Sequence, residues 1–224
     1  MKSQYFQSVE LEGTGSVHET PVHRYPTATH KLMDSALPNL LTVYDALQYR
    51  IGQEPDKKSL GKRSIIEIVT KDKQVKRTVN GTVETSTKKW SYFRLSDYSW
   101  MTYKEIGEAT KSLGSGFVHL GLKRDSRVMV YAPTSREWML CALASYSQGM
   151  QVVTAYDTLG EEGVLHAMNQ AKVELVFMHV DQMPVMAKVI DRAETVRKIV
   201  VFHDAYGMPD KASQALEVVK TKRD

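Results

Sequence analysis

The sequence has a single cysteine, Cys141, so no disulfide within the chain can staple the fold. It lies in the apolar run Trp138-Met139-Leu140-Cys141-Ala142-Leu143 and reads as a buried helix thiol rather than a nucleophile. Long apolar runs are missing too. No stretch reaches the roughly 18 residues of a membrane span, and the opening MKSQYFQSVELEG has no apolar core behind its lysine. Neither a transmembrane segment nor a secretory signal is expected. Asn80-Gly81-Thr82 matches a glycosylation acceptor but reads more simply as a turn.

Reactive motifs are equally scarce. Gly114-Ser115-Gly116 opens a G-x-G-x-x-G pattern, but His119 stands where its last glycine belongs. The pair sits inside an expected helix, where close helix–helix packing is the natural use. Gly61-Lys62 lacks the upstream glycine of a phosphate loop, and no G-x-S-x-G elbow occurs. His18, His23 and His30 have no metal spacing and read as exposed. His166 and His179 read as helix-face and strand-end residues. Asp181, Asp191 and Asp204 are dispersed. No catalytic residue and no metal ligand is assigned.

Apolar content of 42% and charged content of 25% are ordinary globular values, and 224 residues suffice for a core. The net charge of +4 is unevenly spread. Between Lys57 and Lys89 ten basic residues stand against three acidic ones, a local +7, which leaves −3 for the remainder. This segment reads either as a contact for an anionic membrane surface or another polyanion, or as a solvated hairpin whose lysines guard its edges. Few aromatics interleave with the charges along the segment, so nucleic-acid binding is not expected.

The pattern along the chain divides it into four segments. Residues 1–37 lack a period and read as an extended or partly disordered arm. Residues 38–101 hold a helix over 39–49, capped by Thr42 or Asn39 and ended at Gly52. Two or three antiparallel strands follow, turning at Asn80-Gly81. From 102 to 204 the period alternates: helix 102–120, capped by Thr102 with Glu105 and stopped at Gly121; strand 127–132; helix 135–147, capped by Ser135; strand 151–154; helix 161–169; strand 174–178; helix 182–193; strand 198–202. Strands and helices alternating at this length imply a parallel sheet with right-handed crossovers. Residues 205–224 read as a polar tail. The fold class is therefore α/β: a Rossmann-like parallel βα subdomain behind an antiparallel hairpin insertion.

The run Val152 to Gly163 (VVTAYDTLGEEG) is the best candidate for a site, because open α/β sheets bind ligands at the C-terminal ends of their strands. Thr154 and Tyr156 stand at that edge. Asp157, Glu161 and Glu162 form a carboxylate cluster beside it, which either orients a ligand or suits the positive end of the next helix.

Several motifs occur in a telling order. Trp90-Ser-Tyr-Phe-Arg-Leu95 precedes Met101-Thr-Tyr-Lys-Glu105, then Leu113-Gly-Ser-Gly116 and Gly121-Leu122. Tyr131-Ala-Pro-Thr-Ser-Arg-Glu-Trp138 and Thr154-Ala-Tyr-Asp-Thr-Leu-Gly-Glu-Glu-Gly163 follow. From about Thr42 to Phe202 this series resembles the N-terminal part of long-chain fatty acyl-CoA synthetases of the AMP-forming adenylate-ligase superfamily. The fungal-type members share the lysine-rich insertion. The resemblance implies an incomplete part of the adenylate-forming ligase fold and a two-step reaction. A long-chain fatty carboxylate attacks the α-phosphate of Mg-ATP, giving acyl-adenylate and pyrophosphate; CoA then takes the acyl group and AMP leaves.

That family's phosphate loop with its lysine, its ribose-binding aspartate and its C-terminal lysine lie downstream of the residues seen here. ATP, Mg2+ and CoA are thus implied for the full-length family, with none expected to bind this chain productively. Thr154 and Tyr156 are implied neighbours of the acyl side of the cleft, or else residues that only lock the strand–helix turn. The chain is expected to be a truncated product or stand-alone fragment, inactive alone. A non-catalytic module docking on anionic lipid or on a full-length ligase is the alternative. The expected location is cytoplasmic, with endoplasmic-reticulum or lipid-droplet surfaces as places of peripheral contact.

Overall fold

A computed structural model describes residues 8–35, 37, 39–79, 82–203 and 210–222. The chain divides into two compact units, residues 1–46 and 47–224.

In the first unit, β1 (Val9–Glu10) pairs antiparallel with β2 (His23–Arg24). Thr14 fastens this small ribbon. Its hydroxyl donates to the Leu11 carbonyl at 2.6 Å and accepts from the Val22 amide at 2.8 Å. The arm expected to be extended or partly disordered therefore carries local order, built on a side-chain bond that leaves no periodic trace in the sequence. His18, His23 and His30 are exposed, as expected. At the unit's end Thr42 caps helix α1 (Val43–Gln53). Its hydroxyl accepts from the Asp45 amide at 3.0 Å while Asp45 accepts from the Thr42 amide at 2.9 Å. Asn39, the other cap candidate, instead takes a left-handed φ of 69°. Gly52, expected as the stop, lies inside the helix.

The second unit begins with a long antiparallel excursion. β3 (Lys58–Lys62) pairs with β6 (Ser99–Thr102), and between them β4 (Ile65–Val79) pairs with β5 (Thr82–Leu95). The two pairs meet at a stitched corner: the Ser64 amide donates to Ser96 Oγ at 2.9 Å, and Arg63 Nε donates to the Ser96 carbonyl at 2.7 Å. Two or three strands were expected over 64–95, where β4 and β5 lie; the flanking β3–β6 pair was not expected. β3 and β6 are short, β3 has a lysine at each end, and they pair across some forty residues. The Asn80-Gly81 turn lies outside the described residues.

Helix α2 (Tyr103–His119) follows with the expected capping box, Thr102 and Glu105 each bonding the other's backbone amide. Gly121 ends it with φ 93°. Then come β7 (Arg127–Tyr131), α3 (Arg136–Ser147), β8 (Gln151–Ala155), α4 (Glu161–Gln170), β9 (Leu175–His179), α5 (Met183–Val189) and β10 (Lys198–Phe202). The four strands form one parallel sheet in the order β10-β9-β7-β8. The helix expected over 182–193 is shorter, with single 3-10 turns at Val180–Gln182 and Ile190–Arg192 on either side of α5.

The last segment corrects the expected polar tail. Residues 210–221 form helix α6 (Asp210–Thr221), which buries Ala212, Ala215 and Val219. Its apolar stripe is narrow and made of small residues, so the polar composition hid it. Lys222 closes its end by donating to the Ala187 carbonyl at 3.0 Å.

Alternating strand residues feed two cores. Met129, Tyr131, Val176 and Met178 pack toward α4, α5 and α6; Val128, Val130, Leu175 and Phe177 pack toward Phe117 of α2 and Cys141 and Ala144 of α3. Both faces of the sheet are covered, as a parallel sheet requires. Among the described residues no helix is long and apolar enough to cross a membrane.

Candidate functional site

The strand order decides where a ligand crevice can form. From β7 the chain moves one way to β8, then returns across β7 to β9 and continues outward to β10. The direction reverses between β7 and β9, and ligands of such sheets sit outside the carboxyl ends of the strands at that reversal. A cavity of about 370 Å³ lies there. It is lined by Pro133, Thr134 and Glu137 after β7, His179 and Asp181 at the end of β9, and Lys62 at the end of β3.

Its polar groups are largely committed to each other. Lys62 Nζ donates to Glu137 Oε1 at 2.9 Å, with both side chains mostly buried, and Arg136 approaches the same oxygen at 3.4 Å. Glu137 Oε2 is buried with no hydrogen-bond partner among the described residues. His179 is 8% exposed, and its Nδ1 accepts the Asp181 amide at 3.3 Å. The Asp181 carboxylate, 3.4 Å from the same nitrogen, is then an electrostatic neighbour rather than a second bond.

A second recess of about 220 Å³ adjoins along the edge, also lined by Pro133 and Thr134, and it contains Thr154 and Tyr156 with Trp138. Both expected residues are exposed, Tyr156 at 81%. The turn beneath them is held by Tyr131, whose hydroxyl donates to the Leu159 carbonyl at 2.7 Å. Burial, with help from the Asp157 charge, raises the Tyr131 phenol above its usual range. The carboxylates expected beside the edge point to other partners. Glu162 pairs with Arg192 at 2.9 Å, and Glu161 pairs with Lys188, so they tie α4 to α5 and the turn after it. Arg192 holds the Glu162 carboxyl below the usual carboxylate range.

Thr154 and Tyr156 lie at the C-terminal edge of β8, where the sequence pattern places them. That pattern missed the deeper crevice of His179, Asp181, Lys62 and Glu137, because only the strand order brings those residues together. His166 is on an exposed helix face and His179 at a strand end, as read.

With this geometry in view, the comparisons with known proteins are informative. The family described as "AMP-binding enzyme" matches residues 75–223. The chain belongs to this family. Its match runs from within β4 to the end of α6 and takes in the whole parallel sheet.

Long-chain-fatty-acid--CoA ligase 1 of Saccharomyces cerevisiae is 32% identical over 205 residues, 90% of this chain and 29% of that protein. The protein of the same name from Schizosaccharomyces pombe is 31% identical over 188 residues, covering 84% of this chain and 28% of its own length. The chain spans less than a third of these curated relatives. Among solved structures, the A domain of carboxylic acid reductase from Segniliparus rugosus, in complex with AMP and a co-purified carboxylic acid, superposes with TM-score 0.62 at 13% identity. It covers 84% of this chain and 28% of that one. A long-chain-fatty-acid-CoA ligase from Archaeoglobus fulgidus gives TM-score 0.53 at 16% identity, over 79% and 30%. These AMP-binding neighbours share the fold over a partial region.

Among the described residues no group of three His, Cys, Asp or Glu side chains could hold a metal ion. The first turns of α3 and α4, where backbone amides could face a phosphate, carry Glu137 and the Glu161–Glu162 pair.

Proposed function

We propose that this chain is the N-terminal portion of an ATP-dependent long-chain fatty acid–CoA ligase and supplies one wall of its cleft. The observation that carries the reading is the Thr154–Gly163 run. It occupies the strand–helix turn at the C-terminal edge of β8, inside a chain whose relatives are named long-chain-fatty-acid--CoA ligases. Tyr131 fixes that turn from below, and Thr154, Tyr156 and Trp138 form the recess above it. We assign this recess to the acyl side of the cleft, where apolar ring faces suit a hydrocarbon chain.

ATP, Mg2+ and CoA are the proposed cofactors of the full-length enzyme, and a long-chain fatty acid its substrate. The acidic first turns of α3 and α4 argue against phosphate binding here, so no adenylation step is assigned to these residues. The 224-residue chain alone is therefore inactive as a ligase. The proposed setting is the cytoplasmic side of a membrane, whose anionic leaflet suits the basic 57–89 segment.

The test is AMP release by the purified chain with ATP, magnesium, CoA and a long-chain fatty acid. We expect the level of a protein-free blank. Turnover above the blank that scales with chain concentration would overturn the reading.

A further inference from the structure

The β4–β5 ribbon has no second layer. Among its described residues only Ile65 and Val75 are less than fully classed as exposed, and Trp90, Tyr92 and Phe93 are each about half exposed. A two-stranded ribbon standing alone in water is marginal, so its surface asks for an occupant.

The register shows which one. Residues opposed across the ladder share a face, and successive pairs alternate. One face carries Val69 opposite Tyr92, Lys71 opposite Trp90, Lys73 opposite Lys88 and Val75 opposite Ser86, with Arg77 further along. The other carries Ile68 opposite Phe93, Thr70 opposite Ser91, Asp72 opposite Lys89, Gln74 opposite Thr87 and Lys76 opposite Thr85. The first face thus holds Lys71, Lys73, Arg77 and Lys88 with Trp90 and Tyr92, whereas the second holds Lys76 and Lys89 beside Asp72, with Phe93. Lys73 Nζ lies 4.9 Å from the Trp90 ring centre and Lys71 Nζ 5.9 Å from that of Tyr92, both within cation–π reach.

Lys73 and Lys88 stand directly opposite each other, a like-charge pair that destabilises the ladder in water. A surface of negative charge converts that cost into attraction. Nucleic acid is the poorer match, because it needs open rings on which bases stack, and here ammonium groups approach both rings. Lysines with Trp and Tyr at one level, flanked by valines, match the headgroup zone of an anionic leaflet.

We propose that this face docks on an anionic phospholipid bilayer, with Lys71, Lys73 and Lys88 at the phosphates and Trp90 and Tyr92 among the headgroups. The inference rests on the membrane setting proposed above and narrows it to one face of the ribbon.

The test is co-sedimentation of the full chain with phosphatidylcholine vesicles, with and without phosphatidylserine. Binding is expected only with phosphatidylserine and weakens as salt rises. The K71Q/K73Q/K88Q variant should partition roughly a hundredfold more weakly, while K71R/K73R/K88R binds like the parent. K76Q/K89Q, on the other face, should stay within about threefold, since its charges stand about a Debye length from the membrane. Circular dichroism checks that each variant keeps its fold. Equal binding to both vesicle types, equal loss from the two faces, tighter retention on duplex DNA at the same salt, or a dimer that the triple glutamine variant dissolves would each overturn the proposal.

Discussion

Two glycines in α2, two residues apart and so on opposite sides of the helix, have opposite roles. A Cβ at Gly114 would sit 2.8 Å from Ser147 Oγ and 3.2 Å from the Ala144 carbonyl of α3, whereas at Gly116 it meets nothing within 4 Å. Ser147 is already bonded to that carbonyl at 2.7 Å, so the neighbour cannot give way cheaply. Gly114→Ala should therefore cost about 1–3 kcal/mol despite alanine's better helix propensity. Gly116→Ala should gain up to about 1 kcal/mol. Urea unfolding of the two variants checks both signs. The sequence suggested close packing for the Gly-Ser-Gly pair but could not say which glycine faces α3, since that depends on the helix crossing.

Cys141 offers a pH signature. Burial pushes its thiol up to about 12 from an ordinary 9. Between those values the unfolded chain has lost a proton that the folded chain retains, so stability is full below about pH 9 and falls as pH rises. The parent should lose about 2–3 kcal/mol more than Cys141→Ala between pH 9 and 11, read from urea midpoints. Equal losses would mean that the thiol is not buried as described.

At the scale of elements, the capping box of α2 is the clearest case of sequence and structure agreeing. The Thr102 amide and hydroxyl hold the Glu105 carboxyl below its usual range. Thr102→Ala should cost about 1 kcal/mol at neutral pH. Because the folded Glu105 is the stronger acid, its share of this stability is present above the ordinary carboxylate pKa and is lost as pH falls. The parent and variant should therefore converge in acid, which a urea series at several pH values would show.

The four parallel strands were legible because each is a short, largely apolar run between turn signals. β3 and β6 were not, because Lys58-Ser-Leu-Gly-Lys62 has no strand period of its own and is ordered by a distant partner. α6 stayed hidden because alanines at its buried positions carry little hydrophobic signal. The basic–aromatic face of the ribbon was invisible for a related reason: Trp90 lies next to Lys89 along the chain but beside Lys71 and Lys73 in space.

For the whole molecule, the decisive relation is between strand order and chemistry. The alternating pattern implied a parallel sheet, and from it the C-terminal edge that carries Thr154 and Tyr156. The reversal between β7 and β9 adds the crevice of His179 and Glu137, where Glu137 pairs with Lys62 and His179 accepts the Asp181 amide. Among the described residues β10 pairs with β9 alone. The chain spans less than a third of its relatives, and the cleft wall proposed for it is the part that this sheet edge could supply.

The central claim is that this wall does not adenylate a carboxylate. ATP–pyrophosphate exchange isolates that first half-reaction and needs no CoA. With magnesium, radiolabelled pyrophosphate and a long-chain fatty acid, a chain verified as cooperatively folded should incorporate no label above a blank. Fatty-acid-dependent incorporation that rises with chain concentration would contradict the account.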